Sequence, residues 1–185
     1  MTEATGTAKI YRSDPFSAFS NNENGATAVE FALVAAPFLA LLVGIIQTSL
    51  VFFAGQQLEM AVNKTSRLIL TGQAQDQKIT QSAFKQDVCA NVAAMFNCSG
   101  LMVDVQASNS FSAANTAAPT LTFNPQGQVT NIWQYNPGTP GQIVVVRVMY
   151  QWSVFLGPLG FNLSNLSNGN RLIMATAAFK NEPFQ

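Results

Sequence analysis

The sequence predicts an α+β fold: a long N-terminal helix and a second helix packed on a small antiparallel sheet. Three observations predict it. Between Glu30 and Glu59 lie 28 residues without a charge, starting FALVAAPFLALLVGIIQTSLVFFAG, which reads as a single apolar helix. From Thr80 to about Phe96, the residues Phe84, Val88, Val92 and Phe96 recur every four positions, the spacing of one helix face. Three later segments alternate between apolar and polar residues, the period of a half-buried strand.

Composition narrows the function before any motif is read. Of 185 residues only 10% are charged, against roughly 25% in a soluble domain. Nine basic and nine acidic residues cancel, and the mean hydropathy is +0.18. A nucleic-acid binder needs a surplus of cations to displace counterions, so none is expected as a partner. Fourteen phenylalanines and many branched aliphatics exclude disorder throughout. Histidine is absent, which removes the His-based triad, the His metal cage and the commonest general acid–base. No nucleotide, hydrolase or zinc motif is present. No catalytic residue, cofactor or metal is therefore expected, and the protein reads as a non-enzyme.

The first element is the apolar helix. A bilayer core about 30 Å thick needs a helix of roughly 20 predominantly apolar residues, and Phe31 to Phe53 is a run of 23 residues without a charge. Lipid is the expected partner of this segment, and a single span is predicted. Gln47-Thr48-Ser49 is polar but neutral, and a helix satisfies such groups by back-bonding or against a neighbour. Pro37 removes one backbone bond and predicts a kink or a loosened turn. A signal peptide would have an apolar region of about 7–15 residues and a small-residue cut site; this run is longer and no A-x-A pattern closes it. The helical period continues from Gln56 to Leu70, with Leu58, Ala61, Val62, Thr65, Leu68 and Ile69 on one face, and Thr71-Gly72 is a stop signal. The second helix follows.

The strands are predicted around Leu101–Ala107, in QIVVVRVMYQW and around Ile173–Phe179. In the middle one Val144, Val146, Val148, Tyr150 and Trp152 form an apolar face, with Arg147 and Gln151 on the other. One sheet face should pack on the helices, and Asp104 is expected on an exposed strand face, solvated. Residues 105–146 hold no charge over 42 positions. Four prolines exclude a second span there. Leu121 and Phe123 before Asn124-Pro125-Gln126-Gly127 predict an extra hairpin. The region reads either as an interface exposing Trp133 or Tyr135, or as a neutral loop folded over the core.

Glu30 at the edge of the apolar run reads either as a helix-start residue at the interface, favoured by the helix dipole, or as a functional residue, because a carboxylate drawn into a bilayer is costly. Its context is NNENGATAVEFALVAAPF. This string resembles the processing site of type IV pilin-like proteins: a glycine before the cut, a glutamate as fifth residue of the mature chain, then an apolar helix. The continuation is similar to the TadE-like branch of tight-adherence (Tad, or Flp) pilus systems. YNPGTPGQIVVVRVMYQW and ATAAFKNEPF also resemble late TadE blocks. The resemblance implies a pilin-like fold and a pseudopilin or assembly factor of a Tad-type pilus, acting in adhesion or secretion. It implies that residues 1–25 are a leader removed by a prepilin peptidase after Gly25, with Ala26 as the new N-terminus. Glu30 and Phe31 would then serve assembly, the glutamate pairing with the free N-terminal amine of a neighbouring pilin or pseudopilin subunit. Residues 26–72 would form the transmembrane and stalk helix, and 73–185 a periplasmic α+β domain anchored in the inner membrane or incorporated in the pilus. Charge gives no orientation, since Lys9 and Arg12 are balanced by Lys64 and Arg67 across the span; the resemblance puts the N-terminus in the cytoplasm. The rival readings are an unprocessed single-span periplasmic scaffold and a membrane-anchored ligand-binding module.

Cys89 and Cys98 match neither C-x-x-C chemistry nor a zinc site without further ligands. They read as a disulfide in an oxidising compartment or as two buried thiols. Nine residues of straight helix span about 13.5 Å, too far for a bond whose Cα atoms must lie within about 7 Å. If the pair is oxidised, the second helix must break between them, around Asn91–Asn97. TadE-like proteins carry a similar pair here, and the resemblance implies the bond.

Overall fold

The computed structural model describes residues 25–155 and 160–183; of the leader expected at residues 1–25, all but Gly25 lies outside them. The chain divides into two compact units, Met1–Leu42 and Val43–Gln185. Helix α1 (Ala26–Leu70) begins in the first and ends in the second, and it runs through Pro37 without a break. Short α2 (Gln73–Asp76) and α3 (Gln81–Val92) follow. Strands β1 (Met102–Ser108), β2 (Ile143–Trp152) and β3 (Arg171–Lys180) form an antiparallel sheet in that order. The α+β architecture predicted from periodicity is the one observed.

Local chemistry sets the helix ends. Gly72 stops α1 because it adopts φ 80°, a left-handed conformation that costs a side-chain-bearing residue about 1–2 kcal/mol. The amides of Thr71 and Gly72 then close on the carbonyls of Arg67 and Ile69. Thr80 caps α3, its hydroxyl accepting from the Ala83 amide at 3.2 Å. That helix ends at Val92, short of Phe96, and Asn97 caps a single 3-10 turn at Cys98–Gly100. The break brings the Cα atoms of Cys89 and Cys98 to 5.5 Å, and the two residues are joined by a disulfide.

The core of the second unit lies between the helices and one sheet face. Val51, Ala54, Leu58, Ala61, Val62 and Ile69 of α1 are buried, the three-and-four spacing of one face. From Ala54 onward they meet Phe84, Val88 and Val92 of α3 and Val103, Val105, Val144, Val146 and Val148 of the sheet. Phe96, Tyr150 and Trp152 close one end as an aromatic cluster, the Phe96–Tyr150 rings edge-to-face at 5.0 Å. Gly100 is required there: a Cβ at that position would come within 2.9 Å of the Tyr150 ring.

The other sheet face is covered too, which corrects the sequence expectation for Asp104. Ile143, Val145, Arg147 and Met149 are buried, so β2 is shielded on both sides. Asp104 is 2% exposed, not solvated. It stands opposite Arg147 in the β1–β2 register and forms a buried ion pair with it. The reason lies in the neutral segment between them, which folds over this face. Gln134 donates its amide to Asp104 Oδ1 at 2.9 Å, and the Arg147 guanidinium reaches the Ala117 carbonyl at 2.9 Å. Gln106 donates to Asp104 Oδ2 at 3.0 Å. Gln134 and Asn136 also bond the backbone of Val105, adding a short parallel pairing beside β1. Within the segment the expected hairpin is present, with Phe123 opposite Val129. Both side-chain amides of Gln75 and Asn181 donate to the Pro137 carbonyl and hold its far end.

Candidate functional site

Helix α1 presents two different surfaces in sequence. From Val51 onward its apolar stripe is buried in the domain core. Before that point the large apolar side chains are exposed: Phe31 is 74% exposed, and Leu33, Val34, Phe38, Leu39 and Leu41 are all more than half exposed. Among the described residues this is the one helix long and apolar enough to cross a membrane. Its polar patch is satisfied as helices in lipid require. Thr48 and Ser49 donate back to the carbonyls of Gly44 and Ile45, at 2.8 and 2.9 Å.

The junction residues lie where the helix begins. Gly25 immediately precedes α1, and Ala26 is its first residue. Both are exposed, and a Cβ on Gly25 would meet nothing within 4 Å among the described residues. Glu30 is the fifth helical residue and is exposed, with Phe31 beside it. Among the described residues no hydrogen bond or ion pair engages Glu30.

Cys89 and Cys98 belong to the second unit and tie the end of α3 to the turn that leads into β1. Asp104 and Arg147, the charged pair of the sheet, were not read as partners from the sequence. One signal was available: they are the two charges that bound the neutral stretch. A separate groove, between α3 and β1, is lined by Gln81, Lys85, Met102 and Trp133. Lys85 is the single ionisable group among its lining residues, and burial lowers its pKa. That groove does not bring together the acid and base that catalysis would use.

Tyr135 and Trp133 differ from the exposed-interface alternative. Both are partly buried, and the Tyr135 ring packs on Phe84 with centroids 5.8 Å apart. The Tyr135 hydroxyl is buried and has no partner among the described residues. Its pKa is pushed up to about 12, first by burial and then by the charge of Asp87.

No curated protein and no solved structure matches the chain. The late blocks that resemble TadE proteins lie outside the segment that a family model matches. Over residues 25–67, from the glycine before α1 through the exposed apolar run and into the packed stalk, the chain matches the model of the TadE-like protein family.

Proposed function

We propose that the protein is a membrane-anchored, pseudopilin-like subunit or assembly factor of a Tad-type pilus. Residues 31–53 cross the inner membrane, a prepilin peptidase cuts after Gly25, and the α+β domain stands in the periplasm. The observation that carries the reading is the exposed, charge-free surface of α1 beginning directly after Glu30, within the TadE-like segment. Gly25 is exposed and a Cβ there would meet nothing within 4 Å among the described residues, which suits a scissile position that a protease must reach. Once cut, Ala26 carries a free ammonium. A carboxylate in an apolar medium is tolerable when such a cation joins it, so Glu30 pairs with the Ala26 amine of a neighbouring pilin-like subunit. The Cys89–Cys98 bond supports an oxidising compartment for the domain. The work is physical: a protein–protein contact that starts, caps or supports the filament.

N-terminal sequencing of the protein extracted from membranes tests this. In cells with an active prepilin peptidase the mature chain should start at Ala26. Gly25→Leu should leave the leader attached. A chain that starts at Met1 in such cells would refute processing and leave an unprocessed single-span scaffold.

A further inference from the structure

The connection between β2 and β3 has no role in the reading above, yet its two described flanks return to α1 at one level. Phe155 lends its carbonyl to the Gln47 side-chain amide at 2.8 Å. Phe161 lies against Gly44, its Cδ1 3.9 Å from where a Cβ would stand. Both contacts fall inside the apolar run that ends at Phe53. At that level the helix exposes Ile45, Ile46 and Leu50. No charged residue lies between Arg147 and Arg171. The flanks nevertheless show large apolar surface: Phe155 is 80% exposed and Phe161 41% exposed.

We infer that Phe155 and Phe161, on the two described flanks, form a second membrane contact, inserted among lipid acyl chains beside α1. The inference rests on residues 31–53 being a span. Gln47 lies six residues before Phe53, about 9 Å along the helix, and interfacial apolar segments sink about 5–10 Å into the headgroup–acyl boundary. At that depth a lone backbone carbonyl and a lone side-chain amide would each lack water. The Gln47–Phe155 bond pairs them with each other. The residues that follow, Asn162, Ser164 and Asn165, are polar, and Arg171 donates to the Leu163 carbonyl among them at 2.9 Å; such groups suit the headgroup layer, where cations are favoured. The domain is thereby held at a set height and tilt to the bilayer, which one helix alone does not provide.

The test uses the full-length protein, disulfide intact, in phosphatidylcholine–phosphatidylglycerol vesicles. A nitroxide is attached to a cysteine introduced singly at Phe155, Phe161, Leu41 or Ile132, and its collisions with oxygen and with a water-soluble nickel complex are compared. Ile132 is 94% exposed and serves as the aqueous reference; Leu41 is the lipid reference. The labels at 155 and 161 should show an oxygen-to-nickel ratio several-fold above that at 132 and close to that at 41. A ratio at 155 and 161 equal to that at 132, with 41 still shielded from nickel, overturns the inference and leaves the span intact. Exclusion of both quenchers at 155 and 161 overturns it in favour of a second protein chain at this surface. Free nickel access at 41 refutes the span, and the inference with it.

Discussion

Replacing Asp104 by leucine removes the acceptor that latches the neutral segment onto the sheet. The carboxylate takes hydrogen bonds from Arg147, Gln106 and the Gln134 amide, and its partner Arg147 is only 3% exposed. The substitution strands a buried guanidinium, an effect of about 3–5 kcal/mol. At about 2–4 °C per kcal/mol for a chain of 150–250 residues, the unfolding midpoint should fall by about 6–20 °C. The double variant Asp104→Leu/Arg147→Met should recover most of the loss, because an apolar pair of similar size often replaces a buried ion pair without cost. It should not recover all of it. The Gln134 amide and the Ala117 carbonyl still lose their partners, and an orphaned buried group costs about 1–3 kcal/mol. Thermal unfolding of the full chain in detergent, followed by tryptophan emission, gives these midpoints, and limited proteolysis between residues 109 and 141 reports whether the segment has lifted. A single-variant loss below about 1 kcal/mol, the worth of an exposed pair, would refute the latch. So would a double variant whose loss is the sum of the two singles.

Two further predictions concern the domain. Cys89→Ser/Cys98→Ser opens a ring of ten residues and should destabilise the domain by about 2.7 kcal/mol on the loop-entropy model; in unfolding scans, reductant should lower the midpoint of the parent and leave that of the variant unchanged. Tyr135 should make stability fall in alkali. Its phenol is raised to about 12 in the folded chain against about 10 unfolded. Its contribution is therefore complete below about pH 10 and is lost as pH rises through the folded value. Tyr135→Phe should remove that part of the alkaline loss while leaving stability at neutral pH equal or slightly higher, since the hydroxyl has no partner among the described residues. A marked loss at neutral pH would show that the hydroxyl is engaged.

Elements with local causes were legible in the residues. The stop at Thr71-Gly72, the three strands, and the buried stripe Leu58, Ala61, Val62 and Thr65 follow from periodicity and from one glycine's conformation. The second helix was read about four residues too long, because Phe96 keeps the helical spacing after the backbone has turned. Its burial comes from the aromatic cluster, not from α3. The Ile143–Val146 run was apolar on both faces, which is the mark of a strand covered twice. Reading only its Val144–Trp152 face left Arg147 and Asp104 in water.

The low charge content divides along the same line. By itself the sequence determined that residues 31–58 carry no charge and that Glu30 stands at their edge, because hydropathy and helix length are properties of neighbours along the chain. It also marked the neutral stretch from Val105 to Val146. Only the tertiary structure decided what that stretch does. Asp104 and Arg147, which bound it, are 43 residues apart and meet because the antiparallel register sets them opposite each other. The return of Phe155 and Phe161 to α1 was decided in the same way. Pairing between distant residues depends on which strands become neighbours, and no local period encodes that choice.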